Sequence, residues 1–394
     1  MHLFLVHQFP DFDNFVPVVI DLKKKTNLNF SIMNVFPVHD LKYYRLNQLL
    51  DSHDIELIDI SEVNVKSKFI NFFLKFTKII PKMILERLNR LWYFLYHKFN
   101  FFEQDNLIYF IKKKKIKSIN IDKSLPGTYK QIISSACKKT NIKINCYNLG
   151  IEMRRNIKIN PNDFDLYDNA IVQDQNLIIE KSDTKSKKII RVASSRYSLR
   201  WIKEVENVYK YKLKDYSQKL ENRNLKILLV TRPFFTQKSW EKIYKKLKEI
   251  KNIDLRIKLK PRGQFKPLHI QDNIINEYNT SELINWADVV VSHSSSILVE
   301  AVIKFKRVLF LNFLFDLEKK KKINYIFEDT EVVEYMNSFE QLINRLKILR
   351  SNNDFEFLEK YQRSRTDFLQ SNIDKDYFTE SKDLNKELLQ IYLN

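Results

Sequence analysis

The chain has 394 residues, 44% of them hydrophobic and 13% aromatic; this excludes a disordered polypeptide, and the length predicts two folded domains rather than one core. It carries 68 Lys+Arg against 48 Asp+Glu, a net charge of +20, which favours an anionic partner: a phosphorylated substrate, acidic lipid headgroups or nucleic acid. Two cysteines, Cys137 and Cys146, exclude a disulfide framework and a cysteine-ligated metal, and fit a reduced cytoplasmic location.

The opening MHLFLVHQFP has no basic n-region or cleavage site and reads as a first strand rather than a signal peptide. No apolar run reaches the ~18–20 residues of a membrane span. Residues 1–62 alternate as α/β: strand His2–His7, helix Asn14–Leu22, strand Phe30–Phe36, helix Tyr43–Ser52 and strand Ile55–Ile60. The loop Gln8–Asp13 is predicted at the carboxyl edge of a parallel sheet, where ligands bind. Residues 64–101 differ in being basic, aromatic and helical in period, with a kink at Pro81. Phe69, Phe72, Phe73, Phe76 and Ile80 begin an apolar face beside Lys66, Lys68, Lys75 and Lys78. That pattern suits a surface helix pair docking on an anionic membrane, and equally a hairpin burying the same face against a sheet.

Residues 103–175 return to α/β, with strand Ile116–Ile121, loop Asp122–Gly127, helix Tyr129–Thr140 and strand Ile142–Tyr147, which ends in Asn148-Leu149-Gly150. Glu152, Arg154 and Arg155 follow, and Tyr167–Asp174 reads as the last strand of the first half. The polar stretch Glu180–Lys188 is the expected linker, dividing a domain over 1–185 from one over 186–350. The second half opens with strand Leu225–Val230 and Arg232, whose guanidinium is placed to clamp a phosphate. Helix Ser239–Ile250, strand Leu255–Lys260, the loop Pro261-Arg262-Gly263 and helix Thr280–Trp286 come next. Residues 324–345 read as loop, strand and helix, and 351–394 as helices packing back toward the first domain.

The stretch Asn285–Phe313 reads as strand Ala287–Val291, turn, helix and strand Arg307–Phe313. His293-Ser294-Ser295-Ser296 supplies helix-capping chemistry at the turn, before Ile297, Leu298, Ala301, Val302 and Phe305 at helical spacing. Such a turn gathers free backbone N–H groups and a positive dipole end at one spot, suited to phosphate. Glu300, one turn on, has the reach to accept bonds from ribose hydroxyls. A well-capped α/β unit without a ligand has the same pattern. Only three glycines occur, Gly127, Gly150 and Gly263, against roughly 25–30 at ordinary usage; they are expected where φ is positive or backbones approach closely.

The segment SHSSSILVEAVIKFKRVLFLNF resembles the nucleotide-binding segment in C-terminal domains of GT-B glycosyltransferases. The nearest likeness is to the capsule and teichoic-acid group, Kdo-transferase-like and CDP-glycerol glycerophosphotransferase-like proteins. It is strongest over residues 190–345 and includes SRYSLRWI near the domain crossing. The resemblance implies an α/β fold of two Rossmann-like domains facing a cleft (GT-B). Donor phosphates would meet Ser294, Ser295 and Ser296 with His293 beside them, and the ribose Glu300. Where that group has Lys-x-His-Pro, this chain has Lys258-Leu259-Lys260-Pro261-Arg262 without the His; Lys260, Arg262 and Gly263 join Arg232 at the phosphates. On the acceptor side the family's Gly-containing loop corresponds to Asn148-Leu149-Gly150, again without the family's His, with Gly150, Arg154 and Arg155 facing the acceptor.

Transfer needs cations for the leaving nucleotide and a base for the acceptor hydroxyl. Glu152 and Asp122 are the candidate bases, with Asp11, and with His7 or His39 behind them. Two literal Asp-x-Asp matches, Asp11-Phe12-Asp13 and Asp163-Phe164-Asp165, do not follow the strand a metal-binding motif needs, so the expectation is no metal and no tightly bound cofactor. No Gly-x-Ser-x-Gly elbow, Walker loop or Gly-x-Gly-x-x-Gly occurs, which leaves hydrolase, NTPase and dehydrogenase readings without a starting point. The reading is a cytoplasmic enzyme, peripheral at the inner face of the membrane. It would use a CMP-, CDP- or UDP-linked nucleotide-sugar donor on a glycan or lipid-linked acceptor in capsule or other surface-polysaccharide biosynthesis. Its partners would include an anionic membrane surface and no nucleic acid. The alternatives are a GT-B-fold sugar-nucleotide epimerase and a non-catalytic scaffold.

Overall fold

The computed structural model describes residues 1–7, 9–35, 46–63, 103–148, 150–151, 153–173, 176–179, 188–209, 224–231, 237–259, 280–293, 295–314, 325–351, 355–374, 377–378 and 386–393. The expected helices of 64–101, most of the linker, and His39, Glu152, Arg232, Lys260, Arg262, Gly263 and Ser294 lie outside them.

The chain forms two compact units: Met1–Gly150 with Lys158–Val208 and Phe378–Asn394, and Ile151–Ile157 with Tyr209–Tyr377. The first holds β1 (His2–Val6), α1 (Phe9–Lys25), β2 (Phe30–Asn34), α2 (Asn47–Ser52), β3 (Glu56–Asp59), α3 (Gln104–Lys113), β4 (Ser118–Asp122), α4 (Gly127–Thr140) and β5 (Lys143–Asn148). It continues with β6 (Lys158–Ile159), β7 (Asn169–Val172), β8 (Ile178–Ile179), β9 (Lys188–Arg191) and α5 (Leu199–Tyr209), which straddles the unit boundary. Seven strands form one parallel sheet in the order β3-β2-β1-β4-β5-β7-β9, and β6 pairs with β8 apart from it. β1 is buried along its whole length, as a central strand covered on both faces requires. Phe12, Phe15, Val16, Val19 and Ile20 of α1 fall at helical spacing and are buried.

Across the middle of this sheet runs a row of buried amides. Asn169 Nδ2 donates to Asn145 Oδ1 (2.8 Å), Asn145 Nδ2 to Asn120 Oδ1 (2.8 Å), and Asn120 Nδ2 to the Leu3 carbonyl (3.0 Å). The C-terminal helix α11 (Lys386–Leu393) belongs to the same unit and joins the row: Tyr392 OH donates to Asn120 Oδ1 at 2.7 Å and lies 2.5 Å from Tyr147 OH. The buried amides of Asn120 and Asn145 thereby find partners within an otherwise apolar core.

The second unit holds β10 (Leu225–Val230), α6 (Gln237–Lys248), β11 (Ile253–Lys258), α7 (Thr280–Trp286), β12 (Val289–Ser292), α8 (Ile297–Ile303), β13 (Arg307–Leu311), β14 (Glu334–Met336), α9 (Phe339–Ser351) and α10 (Phe355–Asn372). Its five strands are parallel in the order β11-β10-β12-β13-β14. Trp240, Ile243 and Leu247 of α6 and Leu342, Leu346 and Leu349 of α9 form one core with Ile227, Leu229, Val291, Leu309 and Leu311 of the sheet. Arg365 of α10 is buried; its Nε and Nη2 donate to the Val302 and Ile303 carbonyls (2.8 and 2.6 Å) at the end of α8, and its guanidinium lies 3.6 Å from the Phe305 ring centroid. A cation against those last carbonyls also favours the helix dipole.

Several expectations are corrected. Tyr167–Asp174 is not the last strand of its sheet: Lys188–Arg191 pairs with β7 as a seventh. α1 begins at Phe9, directly after β1, and takes Asp11 and Asp13 out of the expected loop and into its first turns. Of the C-terminal helices only α11 returns to the first unit; α10 belongs to the second. Gly127 and Gly150 have neither positive φ nor close neighbours. The left-handed turns fall instead to Asp54, Lys115, Asn141, Asn156, Asn252, Phe305 and Asp329; Asn and Asp tolerate that region by bonding their own backbone.

Candidate active site

In an open parallel sheet, ligands bind at the carboxyl ends of the strands where the strand order reverses. The first sheet reverses between β1 and β4, and the second between β10 and β12. Residues singled out from the sequence fall at both points.

At the first, His7 follows β1, Asp11 lies in the first turn of α1 and Asp122 ends β4. The His7 backbone N–H donates to Asp11 Oδ2 at 3.2 Å, and the ring Nδ1 contacts the same oxygen. Asp11 and Asp122 are 2% and 8% exposed. Burial first, and the Asp11 charge second, push the Asp122 carboxyl up from its ordinary range. The Ser124 backbone N–H, 2.7 Å from Asp122 Oδ1, and the Ser124 hydroxyl on the same oxygen pull the other way, as does His7. Two buried carboxyls beside an imidazole are a proton-handling group. Cys146 on neighbouring β5 is no nucleophile, since burial, then Asp122, push its thiol up to about 12. Asp163 of the second Asp-x-Asp pairs with Lys123 at 2.9 Å.

At the second, Ser292 Oγ donates to the Val230 carbonyl at 2.9 Å, tying β12 to β10, and Thr231 and His293 follow, both buried. The His293 ring lies 5.0 Å from Phe310 on β13 and packs edge-on to Tyr325 at 5.9 Å. Ser295 is buried and its carbonyl accepts from Leu298 N (2.9 Å). Ser296, at the cap position, has helical dihedrals (φ −57°, ψ −16°) and no side-chain capping bond. Ser296 therefore forms no hydroxyl cap, because a capping side chain needs extended backbone to reach the next turn's N–H. Glu300 accepts from the Ser281 hydroxyl and lies 3.4 Å from Lys304 Nζ.

The segment Ile151–Ile157, with Arg154 and Arg155, belongs to the second unit. Arg154 bridges Tyr325 as antiparallel backbone, and Ile326 N donates to the Met153 carbonyl at 2.9 Å. The Arg155 guanidinium donates to Asp329 at 3.2 Å and to the Ile326 and Glu328 carbonyls. Gly150 stays with the first unit. Asp11 was among the candidate bases in the sequence and His7 stood behind it; their spacing of four residues at a strand–helix junction was the available signal. Tyr325 and Phe310 carried none. Among the described residues, no group of three or more His, Cys, Asp or Glu side chains is arranged to hold a metal ion.

No protein-family model matches the chain, and no curated protein sequence is similar to it. Solved structures match it over nearly its whole length. A UDP-GlcNAc 2-epimerase from Neisseria meningitidis bound to UDP-GlcNAc has TM-score 0.52 and 13% identity, covering 99% of each chain. MnaA of S. aureus with UDP has TM-score 0.51 and 13% identity, over 93% of this chain and 91% of that one. UGT73P12 of Glycyrrhiza uralensis, complexed with glycyrrhetinic acid 3-O-monoglucuronide, has TM-score 0.52 and 10% identity, over 99% and 95%. The fold is GT-B. At these identities the likeness is one of architecture, and both Rossmann-like units of the GT-B fold are present, each with its own topological switch point.

Proposed function

We propose that this chain is a GT-B glycosyltransferase, or polyol-phosphate transferase, that uses a nucleotide-activated donor in cell-surface polysaccharide biosynthesis. The observation that carries the reading is the buried His7–Asp11–Asp122 cluster at the first switch point. His7 Nε2 takes the proton of the acceptor hydroxyl as it attacks the donor carbon or phosphorus. Asp11, on Nδ1, holds the ring and balances the imidazolium that forms. Asp122, whose carboxyl burial and the Asp11 charge push up, is the second proton-handling group beside it. In this reading Arg232, Lys260, Arg262, Gly263, His293 and Ser294–Ser296 take the donor phosphates, and Glu300 the ribose. These groups balance the leaving nucleotide's charge, and the reaction as drawn needs no metal. Neighbours described with UDP and UDP-GlcNAc support a nucleotide ligand. The acceptor is a glycan or a lipid-linked glycan, and a net charge of +20 suits work at an anionic membrane surface.

The same carboxyl pair supports a second reading, sugar-nucleotide epimerisation, because an acid and a base side by side can remove a proton and return it. One experiment separates the two: UDP-, CDP- and CMP-sugars incubated with the protein in D2O and followed by NMR. Nucleotide release that His7→Ala and Asp122→Asn abolish supports transfer. Deuterium entering the sugar of an intact sugar nucleotide supports epimerisation. Neither event with any donor counts against both.

A further inference from the structure

The carboxyl edge of the first sheet continues past the His7–Asp11–Asp122 cluster through the ends of β5, β7 and β9. Gln173 is the first residue beyond β7, and its backbone N–H donates to the Asn148 carbonyl at 3.3 Å. Val192 N bonds the Val172 carbonyl at 3.0 Å, which carries the β7–β9 register one step on and sets Gln173 beside Val192. Ser194 follows two residues after Val192, with extended dihedrals (φ −75°, ψ 107°).

Gln173 is 1% exposed and Ser194 2%. Gln173 Nε2 and Oε1 and Ser194 Oγ are all buried with no hydrogen-bond partner. Such atoms cost stability, and a native fold seldom keeps them without a use. Their place is not arbitrary. Asp122 and Gln173 end strands two spacings apart, about 10 Å. The turn after Ser194 reaches back to the start of α1, where Arg196 Nη1 donates to Asn14 Oδ1 at 3.4 Å and Nη2 lies 4.0 Å from Asp13. The orphaned atoms and the proton-handling cluster therefore share one edge, bounded by α1.

We propose that Gln173 and Ser194 recognise an uncharged face of the saccharide acceptor, one bearing hydroxyl or acylamino groups. This rests on the transferase reading and names its acceptor class. Gln173 offers two N–H donors and one carbonyl acceptor, and Ser194 one of each. That set matches vicinal hydroxyls or an acylamino group, which both donate and accept. It does not match a carboxylate or phosphate, which only accepts and needs a cation.

The test combines ligand-observed NMR with galactose, N-acetylglucosamine and glucuronate, thermal melting, and titration with UDP, CDP and CMP. It uses the full chain as wild type, Gln173→Met and Ser194→Ala. The expected result is binding of the neutral sugars, weakened about tenfold in both variants through loss of one or two hydrogen bonds. Nucleotide affinity stays unchanged, and Gln173→Met melts no lower than wild type, since an orphaned amide gives up no bond. Neutral sugars binding the variants as well as wild type overturn the inference. So does preference for glucuronate, no sugar binding at all, or a lower melting temperature for Gln173→Met, which would reveal a structural partner such as trapped water. Failure of the donor reading is visible separately, as no nucleotide binding to wild type.

Discussion

Tyr392 on the last helix closes the amide row of the first sheet, and Tyr392→Phe tests how much that closure stabilises. The hydroxyl donates to Asn120 Oδ1 at 2.7 Å and shares a hydrogen bond with Tyr147 OH at 2.5 Å. Tyr147 is wholly buried. Loss of two bonds costs about 1 kcal/mol each, and the stranded Tyr147 hydroxyl adds about 1–2 kcal/mol of desolvation, for a total of about 3–4 kcal/mol. Tyr147→Phe removes only the shared bond and leaves Tyr392 on Asn120, at about 1 kcal/mol. In the double variant two bonds are lost and no hydroxyl is stranded, so its cost of about 2 kcal/mol falls below the sum of the singles by about 2–3 kcal/mol. Equilibrium urea unfolding of wild type, both singles and the double variant measures the coupling. Additive singles, or a Tyr392→Phe variant within about 0.5 kcal/mol of wild type, would refute the bonding pattern, because distant independent sites add to that precision.

Asp122→Asn should lower turnover by about a hundredfold or more while raising stability at neutral pH. The folded state lifts this carboxyl above its unfolded value, so its contribution is favourable below the unfolded pKa and is lost as pH rises through the folded one. Melting temperatures from acid to neutral pH check this: the wild type should lose ground on the variant as pH rises. His2 runs the other way. Burial first, then the amino terminus and Lys117 and Lys143, lower it from 6.5 to about 4. The unfolded chain therefore protonates first, and stability held above pH 6.5 is lost toward pH 4, on the order of 2–3 kcal/mol. His2→Asn should flatten that part of the profile. Arg365→Met keeps most of the volume but strands the last carbonyls of α8, and should cost about 2–4 kcal/mol in the same unfolding assay.

Much of the second unit was legible because its strands are short β-branched runs followed at once by helical spacing. α7 falls at Thr280–Trp286 as read from the sequence, and β12–α8–β13 follows the expected order. In the first unit β1, β2, β3, β4 and β5 were legible on the same grounds. β9 was not, since KIIR trails a long polar stretch and its partner, β7, identifies it only through pairing. The amide row was hidden for a related reason. Asn120, Asn145 and Asn169 each look like breaks in a strand, and become favourable only when the strands align them. The segment 151–157 could not be assigned to its unit locally, because its partners lie at Tyr325–Asp329, far along the chain. His7, Asp11 and Asp122 were each visible as strand-end residues; that β1 and β4 are neighbours at the switch point is a property of topology.

The central claim is that a nucleotide binds at the switch point of the second sheet. Hydrogen–deuterium exchange of the full chain, with and without UDP, CDP and CMP, tests it most directly. The account predicts that one nucleotide protects peptides across Val230–Arg232 and Ser292–Glu300, with the carboxyl ends of β1 and β4 unchanged. Protection confined to the first unit, or none with any nucleotide, would contradict it.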